Sequence, residues 1–132
     1  MVKSFRFLIE VMTIDDAILP AVVHYLGGMI GLARAIHSEQ RATGRSLRED
    51  LQSAKTQCLT HCQRMLEDPV PQEYCDGRTD YRLTLEDRIF LTSFQTGIEK
   101  VDWTVHEQIE GLMSELNRYA PHYDITGTYH SS

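Results

Sequence analysis

The chain of 132 residues is poor in the residues that usually betray a function. It has three cysteines, four prolines, one tryptophan and no apolar run long enough to cross a bilayer. Three cysteines cannot pair off completely, and a chain of this length buries enough surface to fold without disulfides or a structural metal. The glycine-rich phosphate loop, the nucleophile elbow and the zinc-protease motif are all missing, so no catalytic class or cofactor is favoured. Met1 to Thr13 lacks the basic start, apolar centre and small-residue cleavage site of a secretory signal, and with so few cysteines the expected setting is reducing and cytoplasmic.

The longest apolar stretch, AILPAVVHYLGGMIGLA at residues 17–33, is shorter than the roughly 20 residues a membrane span needs. Pro20, His24 and three glycines interrupt it. It predicts a central helix buried on most sides, with no membrane contact.

Charge is present but unevenly divided. The net charge is −6, yet residues 1–66 carry eight Lys and Arg against six Asp and Glu, and residues 67–132 carry five against thirteen. The second half therefore stands at −8 and repels phosphates and anionic membranes. Any nucleic acid contact falls to the first half.

Four Ser or Thr residues stand just ahead of acids in the manner of helix N-caps: Thr13 before Asp16, Ser46 before Glu49, Thr84 before Glu86 and Asp87, and Thr96 before Glu99. Each precedes a segment of helical periodicity. The expected architecture is mainly α, a single domain over residues 1–132 built as a bundle of about four helices at 14–41, 47–67, 85–94 and 97–120. In the last, Ile98, Val101, Val105, Ile109, Leu112, Leu116 and Tyr119 form one apolar stripe, and most of the acids lie off it. Pro121 is expected to end that helix. Gly27, Gly31 and Ala35, spaced by four, predict a strip where another helix approaches closely. Residues 68–83, with two prolines and an Asp76-Gly77 step, read as a connection, and 122–132 as a loose tail. Residues 4–12 fit a strand or a helix; a strand would need a partner in 79–84 or 122–129.

Two clusters carry chemistry-bearing side chains. Cys58, His61 and Cys62 fall within five positions, but Leu47, Leu51, Ala54, Cys58, Cys62 and Met65 share helical spacing, so the two cysteines read as core. A zinc site would have to recruit Cys75 and a histidine, and only one half of the usual paired-ligand spacing is present. No metal site is therefore assigned, and Cys75 is expected to be an exposed thiol. His24 is read as a histidine at the edge of the core. His106, four before Glu110, has the spacing of helical metal ligands without the second pair such a site needs.

The second cluster is basic. Arg34, His37 and Arg41 share a helical face, and Arg45 and Arg48 follow across ATGRS, a layout over residues 31–54 that superficially resembles a helix-turn-helix reader. Glu39, Glu49 and Asp50 flank it and oppose phosphates.

The expected function is a small non-catalytic interaction module, an adaptor, inhibitor or regulator that docks on another protein or forms a dimer with itself. The alternatives are a DNA-binding regulator acting through the Arg34–Arg48 region, and a metal or cofactor binder using Cys58, Cys62 and histidines.

Overall fold

The computed structural model describes residues 21–75 and 83–120. A wide π-helical turn, Val22–Gly27, runs directly into α1 (Gly28–Thr43). There follow α2 (Arg48–Met65), a single 3-10 turn at Gln72–Tyr74, α3 (Leu85–Lys100) and α4 (His106–Tyr119). Among the described residues there are four α-helices and no strand, so the mainly α bundle holds. Residues 4–12, the Asp76-Gly77 step, Pro20, Pro121 and the 122–132 tail lie outside the described residues.

Local chemistry sets the helix ends. Gly44 adopts φ +73° and its N–H reaches the Gln40 carbonyl at 2.8 Å, the left-handed cap that glycine enters without a Cβ penalty. The start of α2 differs from expectation: Leu47, not Ser46, stands at the cap position, and its N–H donates to Gln40 Oε1 at 2.7 Å. A side chain from the preceding helix thus satisfies the N–H of the cap residue, the part a capping-box Glu49 was expected to play, and no side chain accepts from the first-turn N–H groups that Ser46 was expected to cap. At α3 the expectation holds, with the Asp87 N–H donating to Thr84 Oγ1 at 3.0 Å.

The break between the last two helices lies further along than the Thr96–Glu99 pair suggested. Thr96 is inside α3, its hydroxyl bonded back to the Thr92 carbonyl at 3.2 Å. The chain turns instead at Asp102, whose carboxylate accepts from both the N–H and the hydroxyl of Thr104, at 3.0 and 2.6 Å. Gln108 Oε1 accepts the Asp102 N–H at 2.6 Å. An aspartate that captures donors two residues on offers the backbone a turn in place of another helical bond.

The helices run up, down, up and down. Tyr25, near the start of the first helical segment, lies against His61, near the end of α2, with ring centroids 4.6 Å apart, while Gly44 to Leu47 joins the other ends. These two therefore form an antiparallel hairpin, not the steeply crossed pair of a helix-turn-helix. From α2 to α3, the Cys62 thiol donates to the Leu91 carbonyl at 3.3 Å and Arg88 to the Leu66 carbonyl at 3.1 Å. α4 returns to α1 and closes the bundle. Between them the helices bury Leu26, Ile30, Leu51, Met65, Leu91, Ile98 and Ile109 completely or almost so. Phe90 stacks on Tyr119, whose hydroxyl bonds the buried Asp87, tying the start of α3 to the end of α4.

The small-residue strip is only partly a seam. A Cβ at Gly27 would stand 3.4 Å from Leu116 Cδ2, a close approach of α4. At Gly31 it would meet nothing within 4 Å, and Ala35 is exposed. Residues four apart advance about 40° around an α-helix, so a strip facing α4 at Gly27 has rotated off it two steps later. Leu32 is 43% exposed in a segment that read as apolar all round, so α1 is not covered on every side. No helix among the described residues is long and apolar enough to cross a membrane.

Candidate functional site

The five residues expected to form one basic face are divided by the fold. Arg34 is committed to α4, where its Nε lies 2.7 Å from Glu110 Oε2. His37 is buried, and its Nε2–H donates to the Trp103 carbonyl at 2.8 Å, so it belongs to the core. The bend at Asp102 carries Trp103 inward over the end of α1, which a reading of α1 alone could not register. Arg41, Arg45 and Arg48 are exposed.

His106 lies beside this seam, its ring centroid 5.7 Å from that of His37 and its Nε2 3.7 Å from Glu110 Oε2. Its Nδ1 is buried without a hydrogen-bond partner. Arg34, His106 and Glu110 thus share one carboxylate in a polar clasp between α1 and α4. No group of three or more potential ligands among the described residues could hold a metal ion.

Arg45 and Arg48 come together at the turn between α1 and α2. With Gln40, Gly44, Ser46 and Thr104 they line an open hollow of about 300 Å³. A second hollow, of about 450 Å³, shares Arg48 and Thr104 and extends along α2 and the 101–104 bend past Lys55 and Trp103.

Cys58 and Cys62 are fully buried among apolar side chains. Burial pushes the Cys58 thiol well above its usual range, with Cys62 adding to the effect, and pushes Cys62 up to about 12. Protonated thiols are poor ligands and poor nucleophiles. Cys75, expected to be exposed, has no accessible surface; its thiol lies 3.3 Å from the Pro71 carbonyl and 3.5 Å from that of Val70. The 3-10 turn folds it under the connection, a local geometry that the two preceding prolines did not reveal.

His61 points to the other end of the bundle. Its Nδ1 is 2.8 Å from the hydroxyl of buried Tyr74, and desolvation lowers its pKa, opposed by Glu73. The Tyr74 phenol is pushed up to about 12, mainly by burial. Arg64 bonds Glu73 at 3.0 Å and lies 5.5 Å above the Tyr74 ring. His24, expected at the edge of the core, is exposed, its ring edge-on to Tyr25. This aromatic group anchors the 3-10 turn onto α2.

Among the described residues, the most exposed large apolar side chains are on α3. Leu85 is 73% exposed and Ile89 59%. Thr92 and Thr96 follow at helical spacing on the same face and are exposed, as is Ser93 beside them. From Ile89 to Ile98 the chain carries no ionisable side chain at all, whereas the outward face of α4 carries Glu107, Glu115 and Arg118. The signal was visible as ten uncharged residues in a row, but buried and exposed positions within such a run look alike until the neighbouring helices are placed. The chain matches no family model, no curated protein and no solved structure.

Proposed function

We propose that the protein is a non-catalytic interaction module, a regulator or adaptor that works by docking through the outer face of α3, and that a second copy of the chain is the partner this face suits. The observation that carries the reading is the exposed, uncharged strip Leu85, Ile89, Thr92 and Thr96. Each copy carries a net charge of −6, so most approaches between copies bring like charges together. The α3 strip supplies a contact free of that repulsion. Paired about a two-fold axis, each strip meets its own image, apolar ends and hydroxyl-bearing middles alike. Covering an exposed Leu or Ile is worth up to about 1.5–3 kcal/mol per side chain, and four are covered in such a pair, to be set against the cost of association. A dimer of moderate affinity is expected.

Sedimentation velocity over a wide concentration range tests this. The expected result is a monomer–dimer equilibrium for the natural chain and a monomer with unchanged helical circular dichroism for Leu85→Lys with Ile89→Lys. A natural chain that stays monomeric at the highest concentrations, or a double variant that still dimerises, overturns the reading.

A further inference from the structure

The hollow at the α1–α2 turn lies at the opposite end of the bundle from Leu85, because α2 begins there and ends beside the start of α3. Its lining is unusual for a chain of net charge −6: two arginines, two hydroxyls and an amide, with no carboxylate. Among the described residues neither Arg45 nor Arg48 has an acid within ion-pair distance, whereas Arg34, Arg64 and Arg118 each have one. Asp102, whose carboxyl is held low mainly by the hydroxyl and N–H of Thr104 and further by Arg48 and Lys55, spends its hydrogen bonds on Thr104. Glu49 and Asp50, in the first turn of α2, do not line the hollow.

We infer that this hollow binds a terminal phosphate group carried by a small molecule, with Arg45 and Arg48 as its charged partners and Ser46 as hydroxyl donor, Thr104 forming part of the wall with its own hydroxyl held by Asp102. A guanidinium pairs with a phosphate through two parallel N–H···O bonds, and two guanidiniums with no carboxylate within ion-pair distance match a dianion. The Gly44 turn keeps the floor free of side-chain bulk, since φ +73° at that position favours glycine. The adjoining hollow, reached past Arg48 and Thr104 and lined by Lys55, Lys100, Glu99 and Asp102 over buried Leu51 and Trp103, leaves room for a polar organic part of a phosphate ester. Duplex DNA is the weaker occupant. It would bring many phosphates toward a predominantly acidic chain, and the antiparallel α1–α2 hairpin presents no steeply angled recognition helix.

The test is titration of the full chain with inorganic phosphate, with phenyl phosphate and with sodium chloride at matched ionic strength, followed by amide chemical shifts and thermal melting. Shifts confined to the Gly44–Arg48 turn and Thr104, with a rise in melting temperature from one or both phosphates and none from chloride, are expected. Tighter binding of phenyl phosphate assigns the ester as source, and equal binding assigns free phosphate. Arg45→Gln with Arg48→Gln should weaken binding at least roughly tenfold, the loss of two charge-assisted pairings, without changing the melting temperature of the free chain. Arg118→Gln, on the exposed end of α4, should leave binding unchanged. No response beyond that to chloride, a response the double variant retains, or duplex DNA bound in preference to both phosphates overturns the assignment.

Discussion

His37 on α1 and Trp103 in the bend before α4 are joined by a hydrogen bond of 2.8 Å from the imidazole Nε2 to the backbone carbonyl. Trp103 in turn donates its indole N–H to the Ile98 carbonyl at 3.0 Å, so the bend is held from both sides. The end of α1, the end of α3 and the start of α4 are fixed relative to one another by these two bonds and the tryptophan they orient. The phosphate hollow is bordered by the same bend.

His37→Leu should therefore destabilise the fold by about 1–3 kcal/mol, because it strands a buried carbonyl acceptor without a partner. Trp103 is the one tryptophan in the chain, so urea unfolding followed by its fluorescence reports the loss directly. An unchanged midpoint would mean that the bond does not constrain the bend.

The two glycines four apart should respond in opposite directions. Gly31→Ala enters open space and should stabilise by roughly 0.5–1 kcal/mol through helix propensity. Gly27→Leu drives a side chain toward Leu116 and should cost about 1–3 kcal/mol by overpacking. Thermal melts of the two variants side by side check the rotation of the strip away from α4.

All three thiols should resist a thiol reagent in the folded protein and react together only as it unfolds, since burial keeps each protonated and shielded. Replacing Cys58 and Cys62 by Ala should cost about 1–2 kcal/mol in total, the loss of buried apolar volume. Rapid labelling of Cys75 in the native protein would contradict its burial.

The depressed pKa of His61 sets a pH dependence of definite sign. The unfolded histidine, near 6.5, takes up a proton more readily than the folded one, so the stability this site contributes is complete above about 6.5 and is lost as pH falls through the folded value. Protonation also turns Nδ1 from a group that can accept from Tyr74 into one that can only donate. Urea midpoints should fall between neutral and mildly acidic pH, and His61→Gln should flatten that slope relative to the natural chain.

Helical periodicity and the two core cysteines were legible before any neighbour was placed, because the 3.6-residue repeat of apolar side chains is written along each segment by itself. Leu51, Ala54, Cys58, Cys62 and Met65 are all buried on the stripe that their spacing defines. The cap at Thr84 was legible for the same reason, its donor being three residues away. What the linear order could not contain was the partner of each polar side chain. Gln40 holds the Leu47 N–H from across the turn, Glu110 takes Arg34 out of the basic face from 76 residues away, and Trp103 takes His37 out of it from 66. Periodicity also cannot tell a stripe that another helix covers from one that stays in water. Whether Ile89 faced the core or the solvent was decided only when α2 and α4 took the other sides of α3.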